Sequence, residues 1–95
     1  MDAKKFEKIS KALADPNRLM ILKEIRKKKQ SCLYCVDLYD KTTLAQPSVS
    51  HHVKLLADAE LITVEKEGRN MKYTLNNAVL DEYITYLEYL KAPLA

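Results

Sequence analysis

The amino-acid sequence predicts a small, mainly α-helical domain with one β-hairpin, in the element order ααααββα. The apolar residues Val49, Val53 and Leu56 recur at helical spacing, and comparable stripes occur in several other segments. Residues 61–65 and 71–75 have strand-like patterns and flank a polar turn that contains the only glycine. Because strands on either side of such a turn pair with each other, a hairpin is expected between the fourth and the last helix.

The composition limits the domain organisation and the possible functions. The 95 residues are expected to form one domain, 1–95, with a thin core. Sixteen Lys and Arg against 13 Asp and Glu leave a net charge of +3, which is compatible with a nucleic-acid partner but does not establish one. A single glycine excludes a Gly-rich phosphate-binding loop. The chain lacks an apolar signal segment and any membrane-spanning run, so we expect a cytoplasmic protein that does not associate with membranes.

Two helices are predicted on either side of a break at Asp15 and Pro16. The first covers residues 3–14, where apolar residues keep helical spacing. Asp15 is a typical N-cap and Pro16 suits the first helical position, so the second helix should run from Pro16 to about Lys28. The predicted buried stripe of this second helix consists of Leu19, Leu22 and Ile25.

A helix-turn-helix is predicted in the middle of the chain. Residues 30–34 form a connection, and a short third helix should start near Tyr34 or Cys35 and cover 36–39. A polar turn then leads to a fourth helix over 46–59. Two helices with buried aliphatic residues and a short turn between them fit the helix-turn-helix plan.

The helix predicted over 46–59 has different chemistry on its two sides. One side is aliphatic, and the other carries hydroxyl, imidazole and ammonium groups with no acid before Asp58. Such groups can donate to phosphates and meet base edges, so the helix suits a DNA major groove. The alternative interpretation is an ordinary amphipathic helix with a solvated polar face. The polar groups in question belong to Ser48, Ser50, His51 and Lys54.

The hairpin and the last helix each present a surface that suggests a partner. Lys66, Arg69 and the nearby Lys72 make the hairpin tip a cationic finger. The last helix, which begins after Asn77 and ends near Pro93, is apolar or aromatic over most of its circumference. We expect a dimer interface, because such a wide apolar face exceeds what one small domain can cover. The alternative is a terminal helix that only covers its own core.

With this element order, the chain resembles the ArsR/SmtB family of winged-helix regulators. The matching segments are 12–19 (Ala-Leu-Ala-Asp-Pro-Asn-Arg-Leu), Asp37-Leu38, 44–56, Gly68-Arg69 and 72–75. The resemblance covers nearly the whole chain. It implies a winged helix-turn-helix fold and a homodimeric transcriptional repressor. Such a repressor binds double-stranded DNA with an inverted-repeat operator and releases it when an effector binds.

The resemblance also implies roles for individual residues. The helix from Gln46 would enter the major groove, with Gln46, Ser48, Ser50 and His51 at base edges or nearby phosphates. His52 lies nearer the apolar stripe and would orient that helix against the core. The expected phosphate partners are Lys54 and Arg69, with Lys66 and Lys72 as weaker candidates. The first and last helices would pair the protomers through Phe6, Leu80, Tyr83, Tyr86, Leu87 and Leu90.

Two positions depart from the family pattern. Thr43 and Glu60 stand where relatives usually have glycine in a turn. Because a left-handed non-glycine residue costs roughly 1 kcal/mol, one of these turns is expected to be built differently.

Cys32 and Cys35 permit three interpretations. They are incidental thiols, or a redox switch, or two thiolate ligands for a thiophilic metal or metalloid ion. The arsenic-type CxC pair does not carry over, because Tyr34 and Val36 stand at its two places. The zinc-type site on the last helix looks absent, because that helix has no histidine. No cofactor is therefore certain, and the same fold without cysteine-based sensing remains an alternative.

Two other functional classes are compatible with parts of the sequence. A winged-helix module for protein–protein interaction would explain the fold and the aromatic last helix, but not the polar helix face beside a basic hairpin. An enzyme is not expected. The serines and histidines of 48–52 include nucleophile and base types, but nothing in the sequence forms an oxyanion site or a pocket around them.

Overall fold

A computed structural model of the chain describes residues 1–28, 32–34 and 46–91. The described helices lie where the sequence predicts them, whereas the short helix predicted over 36–39 lies outside the described residues. Thr43, the other departure from the family pattern, is outside them as well. The described elements are α1 (Ala3–Leu13), α2 (Pro16–Lys27), β1 (Cys32–Tyr34), α3 (Gln46–Asp58), β2 (Ile62–Glu67), β3 (Asn70–Leu75) and α4 (Asn77–Leu90).

The first two helices are separated by the predicted break. The Asp15 carboxylate accepts hydrogen bonds from the backbone N–H groups of Asn17 at 2.8 Å and Arg18 at 3.2 Å. These N–H groups have no carbonyl partner in the first turn of a helix, so the cap satisfies them. Pro16 occupies the first turn, where its missing N–H costs nothing.

The end of α3 is a Schellman motif. The N–H of Leu61 donates to the carbonyl of Leu56 at 3.0 Å, and the N–H of Glu60 donates to the carbonyl of Ala57 at 2.9 Å. Glu60 has a positive φ of 63°. The expectation of a differently built turn is therefore wrong at Glu60, which adopts the same left-handed conformation that a glycine would.

The hairpin is confirmed, and it belongs to a three-stranded antiparallel sheet of order β1-β3-β2. Strand pairing reaches Glu67 and Asn70, so the turn holds only Gly68 and Arg69 and is tighter than the predicted polar turn. The prediction of a plain connection over 30–34 is wrong at Cys32–Tyr34, which pairs with β3. The segment is too short to show alternation, and its partner strand is distant in sequence.

The core lies where α1, α2 and α3 meet the sheet. Its fully buried side chains include Ile9, Ile21 and Ile25. The predicted α2 stripe is wrong at Leu19, which is 42% exposed, because Ile21 takes the core position one turn before Ile25. Four consecutive apolar residues, 19–22, leave the spacing unable to choose between the two sides of this helix.

None of the helices in the described ranges is both long enough and apolar enough to cross a membrane.

Candidate nucleic-acid interface

Helix α3 is held against the core by the predicted apolar stripe. Val49 and Leu56 are completely buried, and Val53 is 6% exposed. The four predicted polar side chains on the opposite side are all exposed: Ser48, Ser50, His51 and Lys54. The burial pattern therefore fixes which side of the helix meets solvent.

The exposed side of α3 presents hydrogen-bond donors and positive charge. Gln46 begins the helix, and its N-terminal end carries the partial positive charge of the helix dipole. Lys54 adds a full charge one turn after Ser50. The first acidic residue is Asp58, at the C-terminal end. Phosphate groups and the acceptor-rich major-groove edge of guanine are complementary to such a surface.

His52 differs from its neighbour His51 because it turns toward the rest of the domain. It is half-buried, and its Nδ1 atom lies 3.3 Å from Nη1 of Arg18 on α2. Sequence reasoning assigned no role to Arg18, although it lies within one of the family-like segments. Only its position three residues after the N-cap Asp15 could have drawn attention to it.

Arg18 also contacts the end of α1 and the cap of α2. Its Nε donates to the carbonyl of Ala12 at 2.6 Å, and its Nη2 donates to the carbonyl of Lys11 at 3.0 Å. Its Nη1 lies 3.9 Å from the carboxylate of Asp15. One guanidinium therefore contacts residues from α1, α2 and α3.

The pKa of Asp15 reflects this environment. Burial acts to raise the pKa, but hydrogen bonds from the backbone N–H groups of Arg18 and Asn17 act against it. The positive charge of Arg18 and a smaller contribution from His52 add to these hydrogen bonds. The net result is a pKa below the ordinary value of an aspartate, so the capping group is a carboxylate near neutral pH.

The hairpin of β2 and β3 exposes two of the three predicted cations. Lys66 and Arg69 are exposed at or next to the turn. Lys72 is half-buried and lies directly opposite Glu65 in the strand register. The opposed carboxylate offsets the charge of Lys72, whereas Arg69 lies in the exposed turn. Gly68 has a φ of 62°, and no atom lies within 4 Å of the place where a Cβ would stand.

An aromatic cluster joins α1 to α4. The ring of Phe6 stacks on Tyr83 at a centroid distance of 4.9 Å and on Tyr86 at 4.4 Å. The hydroxyls of Ser10 and Tyr83 are 2.8 Å apart. Of the remaining predicted interface residues, Leu80 is half-buried, and Leu87 and Leu90 are 42% and 55% exposed. The outer side of α4 also exposes Ile84 and Tyr89.

The cysteine pair is only partly described. Cys32 begins β1, where its Cα pairs with that of Thr74 on β3. Cys35 lies outside the described residues. In the three ranges that the structure describes, no group of three or more His, Cys, Asp or Glu side chains could hold a metal ion.

Comparison with known proteins gives consistent matches. The family model "Helix-turn-helix domain" matches residues 13–65. The arsenical resistance operon repressor of Staphylococcus aureus is 39% identical over 92 residues, which is 95% of this chain and 84% of that protein. The transcriptional repressor SdpR of Bacillus subtilis is 32% identical over 79 residues, covering 83% of this chain and 84% of its own length.

Solved structures share the fold. An ArsR-like transcriptional regulator from Rhodococcus sp. RHA1 superposes with a TM-score of 0.79 at 22% identity, covering 92% of this chain and 79% of that one. The solution structure of apo-NmtR has a TM-score of 0.59 at 31% identity and covers this whole chain and 83% of its own.

The helix-turn-helix match, the hairpin after α3 and the polar side of α3 define a winged-helix, DNA-binding transcription regulator. Within that class, the chain belongs to the ArsR/SmtB family of repressors. The matched proteins are named as transcriptional regulators, and the chain is accordingly not an enzyme.

Proposed function

We propose that the chain acts as a homodimer that represses transcription by binding an inverted-repeat operator through α3 and the β2–β3 hairpin. The observation that carries the proposal is the two-sided structure of α3. Its aliphatic side is anchored in the core, and its exposed side carries donors and a cation with no acid before Asp58. An exposed helix of this chemistry fits a major groove.

The exposed side chains divide by the contacts that they can make. Ser48, Ser50 and His51 on the first turns of α3 are suited to base edges or nearby phosphates, as is Gln46 by its position at the start of the helix. Lys54 and Arg69 are assigned to phosphates, because an ammonium or guanidinium group neutralises backbone charge regardless of sequence. Lys66 and Lys72 are secondary phosphate partners.

The homodimer is supported by the exposed apolar side chains of α4. Ile84, Leu87, Tyr89 and Leu90 are each between 42% and 81% exposed on one helix. Burying them against a second copy would remove a large apolar area from water. The stacked cluster around Phe6 ties α1 to the same surface, so the proposed interface includes both terminal helices.

The proposed DNA contacts are tested by the salt dependence of binding to the duplex that the wild-type chain selects from a random pool. Each phosphate neutralised contributes about 0.9 to the slope of log affinity against log salt. We expect Lys54→Gln and Arg69→Gln each to reduce that slope by about 0.9 per protomer. Lys23→Gln, which removes an exposed charge from α2, is the matched control and should leave the slope unchanged.

The same titration separates DNA binding from the alternative function. A chain that selects no duplex, or whose duplex binding is insensitive to salt, would be a protein–protein interaction module with a winged-helix fold. Unchanged slopes in both variants would remove Lys54 and Arg69 from the interface.

We further propose that Cys32 and Cys35 receive the effector as thiolate ligands for a thiophilic metal or metalloid ion. Soft thiolates favour such ions, and relatives at 39–41% identity are named arsenical resistance operon repressors. Because β1 pairs with β3, a bond formed at Cys32 would act on a strand of the hairpin. A shift of the hairpin would weaken DNA binding of the dimer at both half-sites together.

The effector proposal is tested by DNA binding of the reduced, oxidised and arsenite- or zinc-loaded protein. We expect the ion to weaken DNA binding of the wild-type chain and to leave the Cys32→Ser, Cys35→Ser double variant unaffected. A response to oxidant alone would indicate a disulfide switch. An equal response of the parent and the double variant would mean that the thiols are incidental.

A further inference from the structure

We propose that Arg18 and His52 form a positioning pair that sets the orientation of α3 for DNA binding. The inference rests on the proposed function, because it concerns how the DNA-contacting helix is held. Arg18 lies on α2 and His52 lies on α3, on the border between its buried stripe and its exposed side.

The geometry of Arg18 makes it a fixed support. Its Nε and Nη2 donate to the carbonyls of Ala12 and Lys11, which belong to the last turn of α1. The Lys11 carbonyl also accepts from the N–H of the C-cap residue Ala14 at 3.3 Å, and the guanidinium supplies further donors to this helix end. With Asp15 beside its remaining nitrogen, the Arg18 side chain is only 13% exposed.

The contact to His52 uses the nitrogen of Arg18 that points toward α3. A guanidinium only donates hydrogen bonds, so Nδ1 of His52 is the acceptor across the 3.3 Å that separate it from Nη1. An accepting Nδ1 carries no proton, so the contact requires the tautomer with the ring proton on Nε2. Arg18 and Asp15 are charged groups near the ring, and the imidazole of His51 lies at a centroid distance of 5.9 Å.

A directional contact is needed at this place because aliphatic packing alone is non-directional. Val49, Val53 and Leu56 hold α3 against the core, but a stripe of similar side chains permits small rotations about the helix axis. A hydrogen bond to a planar, fixed donor selects one rotation. That rotation decides which way Ser50 and His51, immediately before His52, present their polar groups.

The internal contacts of Arg18 argue against a direct role at a phosphate. All three of its guanidinium nitrogens face acceptors within the domain, and little of the side chain meets solvent. Phosphate-binding arginines need donors that are free to leave the surface. Arg18 therefore acts on DNA binding through His52 rather than by contact.

The test compares variants of His52 and Arg18 on the duplex selected by the wild-type chain. His52→Phe keeps a ring and removes the acceptor, and we expect it to weaken binding roughly 2- to 30-fold. Its salt slope should match that of the wild-type chain, because no phosphate contact is lost. His52→Gln restores an acceptor and should recover part of the affinity. Arg26→Gln is the control for Arg18→Gln, because it removes the same charge at the exposed end of α2. It should bind DNA as the wild-type chain does.

A double variant completes the experiment. In an Arg18→Gln background, His52→Phe should change the affinity by less than about twofold, because the contact is already gone. Thermal unfolding of each variant identifies any that fails to fold, and His52→Phe leaves the bonds from Arg18 to α1 intact. Three results would each overturn the proposal. They are an unchanged DNA affinity of His52→Phe, a salt slope of His52→Phe reduced by about 0.9 per protomer, and additive effects in the double variant. A wild-type chain that selects no duplex would instead overturn the proposed function.

Discussion

Glu60 shows how a single residue closes the helix that carries the proposed contacts. Its φ of 63° lies in the left-handed region that usually requires glycine. Its N–H and that of Leu61 satisfy carbonyls of the last turn of α3. Its carboxylate lies 3.2 Å from the ammonium of Lys5, and their hydrogen bond is the main cause of the raised pKa of Lys5. The strain at Glu60 is thus retained within a complete capping motif.

Glu60→Gly should stabilise the protein by roughly 0.5–1 kcal/mol, because the strain of a left-handed side chain disappears. Urea unfolding monitored by circular dichroism measures the effect. Glu60→Gln is the matched control, since it keeps the strain and, like the Gly variant, removes the charge that pairs with Lys5. Equal stability of the Gly and Gln variants would show that the left-handed conformation costs nothing here.

Asp15 links stability to acidity. Its pKa is lower in the folded chain than the ordinary value of 3.8. A depressed pKa means that the group stabilises the fold above its unfolded pKa and that this contribution is lost as the pH falls through the folded pKa. Asp15→Asn keeps a capping oxygen but cannot titrate. We expect its urea midpoint to fall less steeply than that of the wild-type chain below about pH 4. Urea midpoints that fall equally steeply with pH in the two proteins would contradict the lowered pKa of Asp15.

Among the elements, α3 could be predicted well and α2 and β1 less well. The spacing of Val49, Val53 and Leu56 identifies one side of α3, because most of the remaining residues on its first three turns are polar. In α2 the apolar residues are too numerous for spacing to choose a side, so Leu19 was assigned wrongly to the core. Strand β1 depends on pairing with residues 72–74, and no local pattern of three residues reveals such a partner.

The proposed site also has features that the sequence predicts and features that it does not. Exposure of the α3 side chains follows from amphipathic spacing, whereas the contact between His52 and Arg18 does not. That contact needs the last turn of α1, the start of α2 and the middle of α3 to meet in space. Sequence spacing describes each helix separately and contains no information on how the three converge.

The conformation of Gly68 sets the geometry of the hairpin turn. Gly68 occupies the first place of a two-residue turn with a positive φ, a pattern typical of type II′ turns. Gly68→Ala should destabilise the protein by about 1 kcal/mol through backbone strain alone, because no atom obstructs the added Cβ. Gly68→Asn should cost less, since asparagine tolerates this conformation. Chemical denaturation of the three proteins measures the order, and an Ala variant as stable as the parent would contradict it.

Across the whole molecule, the outer side of α4 is left uncovered by the other residues that the structure describes. The outer side of α4 leaves Tyr89 81% exposed and Leu90 55% exposed. The inner side is engaged with α1 through Phe6, Tyr83 and Ser10. The helix therefore packs on its own domain through this half-buried cluster and still exposes apolar side chains to a second copy.

Leu87→Lys should convert the proposed dimer to monomer, because a charge would be buried in the apolar interface. Sedimentation equilibrium over a range of protein concentrations measures the association. The matched control is Glu88→Lys, which introduces the same residue at the next, already polar and exposed position and should leave association intact. Dimerisation of Leu87→Lys with wild-type affinity would move the interface elsewhere.

In the proposed homodimer, the two copies of α3 are separated by about one helical turn of B-form DNA. The most direct measurement is the affinity of the full chain for inverted repeats of the selected sequence with different spacing. Tight binding is expected when half-site centres lie about one helical turn, roughly 34 Å, apart. Inserting about 5 bp, half a turn, should remove most of that affinity, because the second half-site then faces the opposite side of the duplex. Equal affinity for both spacings would contradict a rigid dimer that binds both half-sites at the same time.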